Sequence, residues 1–534
     1  MIVLANKDID SQANRRSGFP YAKPQNRPNV RLCSCLLFCD WSVVMMSRGK
    51  AKLGCLLLFM ALYWGLPWPL MAQITTNTSV ATVQPDTSVF SAALFYDLIR
   101  QNHPLVKQAN LFGEEARQVL MQARGAFDPK LVASYDRKEF GNDLYYDHWQ
   151  NKLAVPLWPG GVDLNVAYSR NKGRYINPEE RTPASGLTSV GLSMPIGQGL
   201  LMDARRNAVR QAQLAQNLAE ADRIKLVNKT LFDAAKTYWE WFLAYQQRQL
   251  LAEGLELADR RFRALRERVA LGDAATIDTT EALITVQDRI VQRQQAEVDE
   301  QNARMRVSTF LWNQNGQPVE LPESARPQEP ALTPINENVF QNLLDRTATQ
   351  HPDLLKLSVK NQQLTIEERF RRAMIQPQVV LSANLLSETP TVDAGYNWNS
   401  YYSFRPQNHK IGFDFVMPLF LRKERGKLRE VQVKNQQVVL ERQQTSRTIA
   451  NTVQMAYNQL RTLAEQASVQ QQIIDNQQRL LQAEQDKFEL GESSLFLVNA
   501  RETKLIDLRI KGAELKSKYQ KAVAELYFVA GVSG

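Results

Sequence analysis

Two histidines in this chain of 534 residues stand directly before a proline, which raises the question of a metal site. They form the pairs His103-Pro104 and His351-Pro352. A metal-binding helix usually carries a second ligand three or four residues away, because those positions share one helical face. Neither histidine has such a partner, and proline suits the first turn of a helix. The pairs therefore predict two helix starts, with no metal and no other cofactor.

None of the remaining sequence motifs supports a catalytic function. The sequence contains no glycine-rich phosphate loop, no nucleophile elbow and no His-Glu zinc pattern. A mature chain that starts at Gln73 also lacks any thiol, because all four cysteines precede Ala72: Cys33, Cys35, Cys39 and Cys55. We therefore predict a protein that is not an enzyme.

Positive charge is the other feature that could bind a partner. The chain carries a formal net charge of +10, and the stretch "RKERGKLRE" at 422–430 is basic. Single-stranded nucleic acid is usually bound by basic residues interleaved with aromatic ones, and none interleave here. The stretch follows a strand directly, so we predict that it faces anionic lipid head groups at a membrane boundary and binds no nucleic acid.

The N-terminal region has the layout of a secretory signal. A basic stretch from Met46 is followed by the apolar run 53–66, two prolines and a small residue at Ala72. The run is short for a transmembrane helix, although an N-terminal anchor is the alternative. We predict that 1–72 combines an over-long start with a signal peptide, that the mature chain begins near Gln73, and that 73–89 is a loose segment.

The rest of the chain reads as two copies of one plan. The segment "VFQNLLDRTATQHPD" parallels "LFYDLIRQNHPLV", and each copy ends in a long stretch without proline. The first such stretch predicts a helix from Met202 to Leu271 and a return helix from Ile277 to Trp312. We therefore divide the chain into a first repeat at 90–315, a linker at 316–335 and a second repeat at 336–534.

Each repeat also contains strands with alternating apolar and polar residues, in regions 130–197 and 378–420. One hairpin per repeat gives about four strands per chain. An extra hairpin within 142–171, which would give six, is the alternative. Four strands cannot close a transmembrane barrel, which needs about eight or more. Three chains would give twelve strands, an even number that can close.

A glycine interrupts each long helical stretch, in "ALGDAAT" and in "ELGESSLF". Gly272 and Gly491 suit the left-handed conformation that ends a helix and predict two helical hairpin tips. Asp273 or Thr276 can cap the helix after the first tip, and Ser493 or Ser494 the helix after the second. A plain hairpin turn without a partner is the alternative reading.

The duplicated order of these motifs resembles the TolC-like outer-membrane efflux protein family over Val89 to Gly534. The resemblance implies an α+β membrane protein: a homotrimer with an outer-membrane β-barrel continued by a long α-helical barrel in the periplasm. It implies the exit duct of a tripartite efflux pump or a type I secretion system. Its partners are a periplasmic adaptor (membrane fusion protein), an inner-membrane pump or ABC exporter, and outer-membrane lipid.

The resemblance also assigns roles to the two tips. It implies that the adaptor docks on Leu271, Gly272, Asp273, Ala274, Leu490, Gly491, Glu492, Ser493 and Ser494. It places the periplasmic constriction at Asp278, Leu495, Phe496, Leu497 and Ala500. The family's acidic ring falls on Leu497 and Ala500, which are apolar, so we expect closure by apolar contact around Leu495, Phe496 and Leu497.

Two other functions fit parts of this pattern. A periplasmic coiled-coil adaptor or a structural envelope protein would also carry long helical hairpins, although an adaptor normally has one hairpin and a flanking β-domain. Small toxic compounds, a secreted protein and metal ions all stay open as the transported substrate, because no residue cluster selects among them.

Overall fold

The computed structural model describes residues 89–272, 274–390 and 402–532. Two very long helices dominate this part of the chain. Helix α3 (Ala204–Ala270) has 67 residues and helix α7 (Arg422–Glu489) has 68, which corresponds to about 100 Å each at 1.5 Å per residue. The eight helices α1 to α8 span Ala92–Asn102, Pro104–Arg124, Ala204–Ala270, Thr276–Ser308, Glu337–Gln350, Pro352–Ala373, Arg422–Glu489 and Leu495–Val529.

The long helices form a wall with shorter helices packed beside them. In the half next to the strands, the order of contacting neighbours is α2, α3, α6, α7; in the other half it is α4, α3, α8, α7. The predicted long helix and its return therefore exist in both halves of the chain. Within the described residues, no helix combines the length and apolar character needed to cross a bilayer.

The strands form one six-stranded antiparallel sheet in the order β2-β3-β4-β5-β7-β8. They span Lys130–Phe140, Asp143–Pro156, Asp163–Lys172, Leu187–Gly197, Gln378–Glu388 and His409–Val416. The prediction of about four strands per chain is therefore wrong. The additional hairpin that the sequence allowed within 142–171 is present, as strands β3 and β4. A two-stranded parallel sheet joins β1 (Val89–Phe90) to β6 (Arg326–Pro327), so the 316–335 region is tied back to the start of the first half.

The extra strands arise because the first half contains one more hairpin than the second. Strand β2 turns into β3 through Gly141 and Asn142, both with φ of 65°. Left-handed angles at both central residues match the tight hairpin turn that suits the twist of antiparallel strands. Strands β3 and β4 are then joined by the short turn 157–162, whose Gly160 and Gly161 also have positive φ.

Both His-Pro pairs start helices, as predicted. The His103 Nδ1 atom accepts a hydrogen bond from the backbone N–H of Leu105 at 3.2 Å, and the His351 Nδ1 atom accepts one from Asp353 at 3.2 Å. Each imidazole is buried, and burial lowers its pKa from the ordinary value because it disfavours the charged form. The neutral ring is also the form that can accept the capping hydrogen bond.

These caps predict a pH-dependent stability. A histidine with a folded-state pKa below its unfolded value destabilises the fold as pH falls below about 6.5, because the unfolded chain then binds the proton more readily. We expect the midpoint of urea unfolding, followed by tryptophan fluorescence in detergent, to decrease as the pH is lowered from 8 to 5.5. The double variant His103→Asn, His351→Asn should lose less stability over this range, since asparagine caps a helix without titrating. An equal loss in both proteins would contradict this role.

The buried core lies where the short helices α1 and α5 pack against the long ones. Around α1, the aromatic side chains Phe95, Tyr238 and Trp241 are fully enclosed, and Tyr238 donates a hydrogen bond to the Phe90 carbonyl at 2.6 Å. Around α5, Phe340 stacks on Tyr457 with ring centroids 3.9 Å apart. These two clusters fix the wall about halfway along its length.

Candidate functional site

One face of the six-stranded sheet carries a band of apolar side chains. The hydrogen-bonded register aligns two rows of apolar side chains across it: Leu131, Leu153, Val166, Val190 and Leu385, and then Val155, Leu164, Leu192, Ala383 and Ile411. Strand β8 presents Phe413 and Phe415 on the same face, both more than half exposed. An exposed apolar band of this kind is what a lipid-facing barrel surface requires.

The opposite face of the sheet is mainly polar. Its aligned rows include Ser134, Gln150 and Ser169, and also Lys130, Asn165, Asn384 and Lys410. Alternation of apolar and polar faces along every strand is the pattern of a barrel with lipid outside and a wet lumen inside. Strand β3 from Lys152 onward and strand β4 up to Ser169 follow this alternation, so the part of the extra hairpin next to the helices belongs to the same wall as the other four strands.

Aromatic side chains mark both ends of the apolar band. Tyr135 and Trp149 lie 6.5 Å apart near the end distant from the helices. Trp158 and Phe420 are exposed at the end next to the helices. Such belts are typical of the two membrane–water boundaries, where a ring can bury its apolar body and keep a polar edge wet.

The passage from sheet to helix is held by a partly buried ionic cluster in the first half. The Asp203 carboxylate caps α3 by accepting from the Arg206 backbone N–H at 2.8 Å, and the Arg205 guanidinium lies 2.8 Å from Asp163 at the start of β4. Burial opposes the charge on Asp203, but the hydrogen bonds and charge of Arg206 outweigh it and lower the pKa of this carboxyl. The Arg206 side chain also donates to the carbonyls of Leu200 and Gly199.

The second passage is built differently, although the sequence pattern is duplicated. Leu421 precedes α7 with a left-handed φ of 48° and provides no side-chain cap. The Arg422 guanidinium lies over the Phe420 ring, 5.2 Å from its centroid. Since Leu419 and Phe420 are strongly exposed beside the basic start of α7, this corner combines apolar and cationic groups, as the membrane-boundary prediction for 422–430 requires.

The far ends of the long helices are two glycine turns, as predicted. Gly272 has φ of 82° and Gly491 has φ of 79°, and nothing lies near either Cα where a side chain would project. After the second turn, Ser494 caps α8 by accepting from the backbone N–H of Leu497 at 3.4 Å, whereas Ser493 donates to Glu484 at 2.6 Å.

The first turn differs from the prediction in its cap. Helix α4 begins at Thr276 after Ala275, and no side chain caps it. Thr276 is thus inside the helix, where its carbonyl accepts from the Thr279 hydroxyl at 2.7 Å. The proposed cap at Asp273 lies outside the described residues.

Large apolar side chains are exposed at the tips, although a protein surface without a partner normally keeps such residues covered. Leu271 and Leu490 occupy equivalent positions before the two glycines and are 77% and 76% exposed. Ile277 and Phe496 lie one turn further along and are 71% and 65% exposed. Clustered exposed apolar residues of this kind mark interaction surfaces more often than isolated ones do.

The residues assigned to the constriction do not all lie at the surface. Phe496, Leu497 and Ala500 are exposed and Asp278 is half-buried. Leu495 is only 5% exposed, because it packs with Leu265 and Ala282 between the two helical hairpins of the same chain. In this conformation its side chain joins the hairpins and does not face a lumen.

A buried polar contact joins the same two hairpins and was missed from the sequence. Arg261 of α3 donates to Asn499 at 2.7 Å and forms an ion pair with Glu502 on α8. Arg289 of α4 donates to the Thr503 hydroxyl at 2.8 Å. The sequence contains a signal for this contact, because the charged residue Glu502 interrupts an apolar helical stripe formed by Val498 and Leu505. We call Arg261, Arg289, Asn499, Glu502 and Thr503 the hairpin lock.

Comparison with known proteins identifies the class. The model of the outer membrane efflux protein family matches this chain twice, over 95–311 and 343–532. The chain therefore belongs to that family: it is an outer-membrane channel with a periplasmic extension, it acts as an exit duct, and it is not an enzyme. Family membership also implies interaction with periplasmic adaptors and inner-membrane pumps.

Particular relatives agree with this assignment. The chain is 24% identical over 451 residues to the alkaline protease secretion protein AprF of Pseudomonas aeruginosa, covering 82% of this chain and 83% of the relative. Its fold is similar to the Campylobacter jejuni CmeC outer membrane channel, with 16% identity, a TM-score of 0.57 and coverage of 82% and 85%. The open-state Neisseria gonorrhoeae MtrE outer membrane channel gives 15% identity, a TM-score of 0.60 and coverage of 83% and 89%.

Proposed function

We propose that three copies of this chain close into one continuous duct that docks a periplasmic adaptor through its helical tips. The observation that carries the proposal is an uncovered apolar stripe on α4, one edge of the helical wall. Every seventh residue of this helix is apolar and more than half exposed: Ile277, Ile284, Val291, Val298 and Met305. A spacing of seven keeps these residues on one side of the helix, as one of the two apolar positions of a coiled-coil heptad does.

The other edge of the wall offers a matching stripe. Helix α7 exposes Val469, Ile473 and Leu480. Ile284 and Leu480 both lie about three helical turns from their tip glycines, and Val291 and Ile473 both lie about five. A neighbouring copy that places its α7 beside α4 would bring these pairs to one height, and repetition of this contact closes a ring.

The sheet supports the same closure. Strands β2 and β8 are its two edges, and an unpaired edge within a membrane is not tolerated. Pairing β8 of one copy with β2 of the next closes a barrel of eighteen strands in a trimer. Barrels of 16–18 strands hold an aqueous channel, as an exit duct requires.

We place adaptor docking at the tips because Leu271 and Leu490 are exposed there at equivalent positions. We assign the constriction to Phe496, Leu497, Ala500 and Asp278. Leu495 packs behind them, between the two hairpins. Both an efflux pump and a type I secretion system fit this arrangement; the name of AprF refers to secretion of a protease, which favours a secreted protein as one cargo. The alternative of a periplasmic adaptor is disfavoured by the six-stranded sheet with its apolar face.

Cysteine cross-linking tests the closure. The four natural cysteines all precede Ala72, so a mature chain from Gln73 offers a clean background. We expect Val291→Cys with Ile473→Cys to form disulfides between copies and to give dimer and trimer bands on a denaturing gel. Pairing Val291→Cys with Glu441→Cys, an exposed site far from that height on α7, is the control. Absence of linked species from the first pair, or equal linking in both, would contradict the closure.

The docking role predicts a selective defect at the tips. Replacing both Leu271 and Leu490 by Asp should leave the trimer in the outer membrane but abolish co-purification of the adaptor, because charges replace the apolar contact on which docking rests. The matched control is Leu257→Asp with Leu355→Asp, exposed positions on α3 and α6, which lie inside the wall and away from the tips. Unchanged adaptor recovery from the tip variant would remove the docking role from these leucines.

A further inference from the structure

The two unpaired edges of the six-stranded sheet are strands β2 and β8. Strand β8 has eight residues and β2 has eleven. The pairing of β2 with β3 shifts between Lys138 and Glu139, so β2 is regular only over 130–138. The closure proposed above places β8 of one copy beside β2 of the next, and the inference that follows rests on that closure. The regular stretch of β2 is where β8 can pair without crossing a bulge.

The alternation of faces leaves one register that uses all of β8. Successive side chains of a strand point to opposite faces, so a slip by one residue would turn the lipid-facing side chains of β8 into the lumen. Registers therefore differ in steps of two residues. With Val416 opposite Lys130, every residue of β8 pairs within 130–138. Moving β8 two residues away from the helices carries it past Lys138 into the bulge, and moving it two residues toward the helices leaves its last two residues without partners.

The charges on the polar face agree with this register. It places Lys410 of one copy directly opposite Asp136 of the next. Both side chains are exposed, and neither has an ion pair within the described part of one copy. Asp414 then lies one diagonal step from Lys130 of the next copy, which long side chains can bridge. The register shifted away from the helices would instead set Lys410 opposite Lys138, and like charges at opposite positions are destabilising.

The tilt of the strands favours the same register. The hydrogen-bonded row that starts at Lys130 on β2 runs through Asn384 to Lys410 on β8. In this register the row enters the next copy at Asp136, six residues further along β2. A stagger of six residues over six strands gives a tilt of about 35°, from about 3.4 Å per residue and 4.8 Å between strands, and membrane barrels tilt by about 35–45°. The register shifted toward the helices would give only about 25°.

We infer that neighbouring copies join in this register, with an ion pair between Lys410 of one copy and Asp136 of the next on the lumen face of the barrel. The partner that fits both edges is a second copy of this chain. The lipid face agrees, because Phe413 falls opposite Ala133 and Ile411 opposite Tyr135, so that an aromatic ring meets a smaller apolar side chain in both pairs.

Disulfide formation from one fixed cysteine tests the register. Asp414→Cys is combined in turn with Lys130→Cys, Val132→Cys or Ser134→Cys, which are exposed positions on one face of β2. We expect linked copies only with Val132→Cys, because directly opposite Cα atoms lie about 5 Å apart and a slip of two residues separates them by more than about 7 Å, too far for a disulfide. Stronger linking with either other partner overturns the register and leaves the closure in place. No linking in any pair overturns the inference, and the α4–α7 cross-link then shows whether the closure fails with it.

Exchange of charges tests the ion pair itself. Lys410→Glu and Asp136→Lys should each lower the temperature at which the trimer dissociates in mild detergent, and the two together should restore it, because opposite charges face each other again. Lys152→Glu is the matched control, since Lys152 lies on the same face but inside the sheet, between β2 and β4, and it should leave this temperature unchanged. A combined exchange no more stable than the single ones, or an equal loss in the control, would overturn the ion pair.

Discussion

Replacing Arg261 by alanine is expected to separate the two helical hairpins near the tips. Arg261 joins α3 to α8 through Asn499 and Glu502, and the Glu502 side chain is only 6% exposed. Removing the arginine leaves this carboxylate buried without its counter-charge. Loss of one partner from a buried ion pair costs about 3–5 kcal/mol of stability.

The effect should appear in local opening and in conduction. We expect amide hydrogen exchange at the ends of α3 and α8 to accelerate about a hundredfold or more, given tenfold for each 1.4 kcal/mol. We also expect a larger single-channel conductance in planar bilayers, since Phe496 and Leu497, which we propose as constriction residues, are carried by the released hairpin. Arg263→Ala is the control, because Arg263 pairs with Asp259 on its own helix and is 72% exposed. Equal effects of the two substitutions would show that the hairpin lock does not hold the tips.

Replacing Ile411 by arginine is expected to prevent stable insertion of the barrel. Ile411 lies in the second of the two apolar rows, opposite Ala383, and is 70% exposed. A cation placed on the lipid face near the bilayer midplane costs about 2–4 kcal/mol, and a trimer carries the substitution three times. Unfolding in lipid vesicles, followed by heat modifiability on gels, should show a strongly reduced stability.

The matched control lies on the other face of the same strand pair. Ser382 opposes Gly412 on the polar face, so an arginine there has room and reaches water. Ser382→Arg should therefore change stability little and alter ion selectivity instead. If Ser382→Arg destabilised the protein as much as Ile411→Arg, the assignment of lipid and lumen faces would be wrong.

Much of the helical architecture was predictable because it is encoded locally. The absence of proline, the two glycine turns and the two His-Pro starts fix the helices without reference to distant residues. The capping error at Thr276 has a local cause as well: the helix starts directly at the threonine, with Ala275 before it. Several small or hydroxylated residues follow Gly272, and the sequence pattern does not rank them.

The sheet was predicted less completely. Strand β3 begins at Asp143, but its first half mixes two tyrosines, two aspartates and a histidine, so apolar alternation is visible only from Asn151 onward. The dipeptide Gly141-Asn142 was the missed signal, since both residues adopt the left-handed angles of a tight hairpin turn. The contacts of the hairpin lock could not be predicted from the sequence, because they join residues more than two hundred positions apart.

A single measurement tests the central claim most directly: an electron cryo-microscopy map of the mature chain in lipid nanodiscs. We predict three copies around one axis, eighteen strands in a closed barrel, and a lumen continuous from the barrel into the helical wall, with α4 of each copy against α7 of the next. A monomer, another number of copies, or a barrel in which β3 and β4 lie outside the closed wall would contradict this structure of the duct.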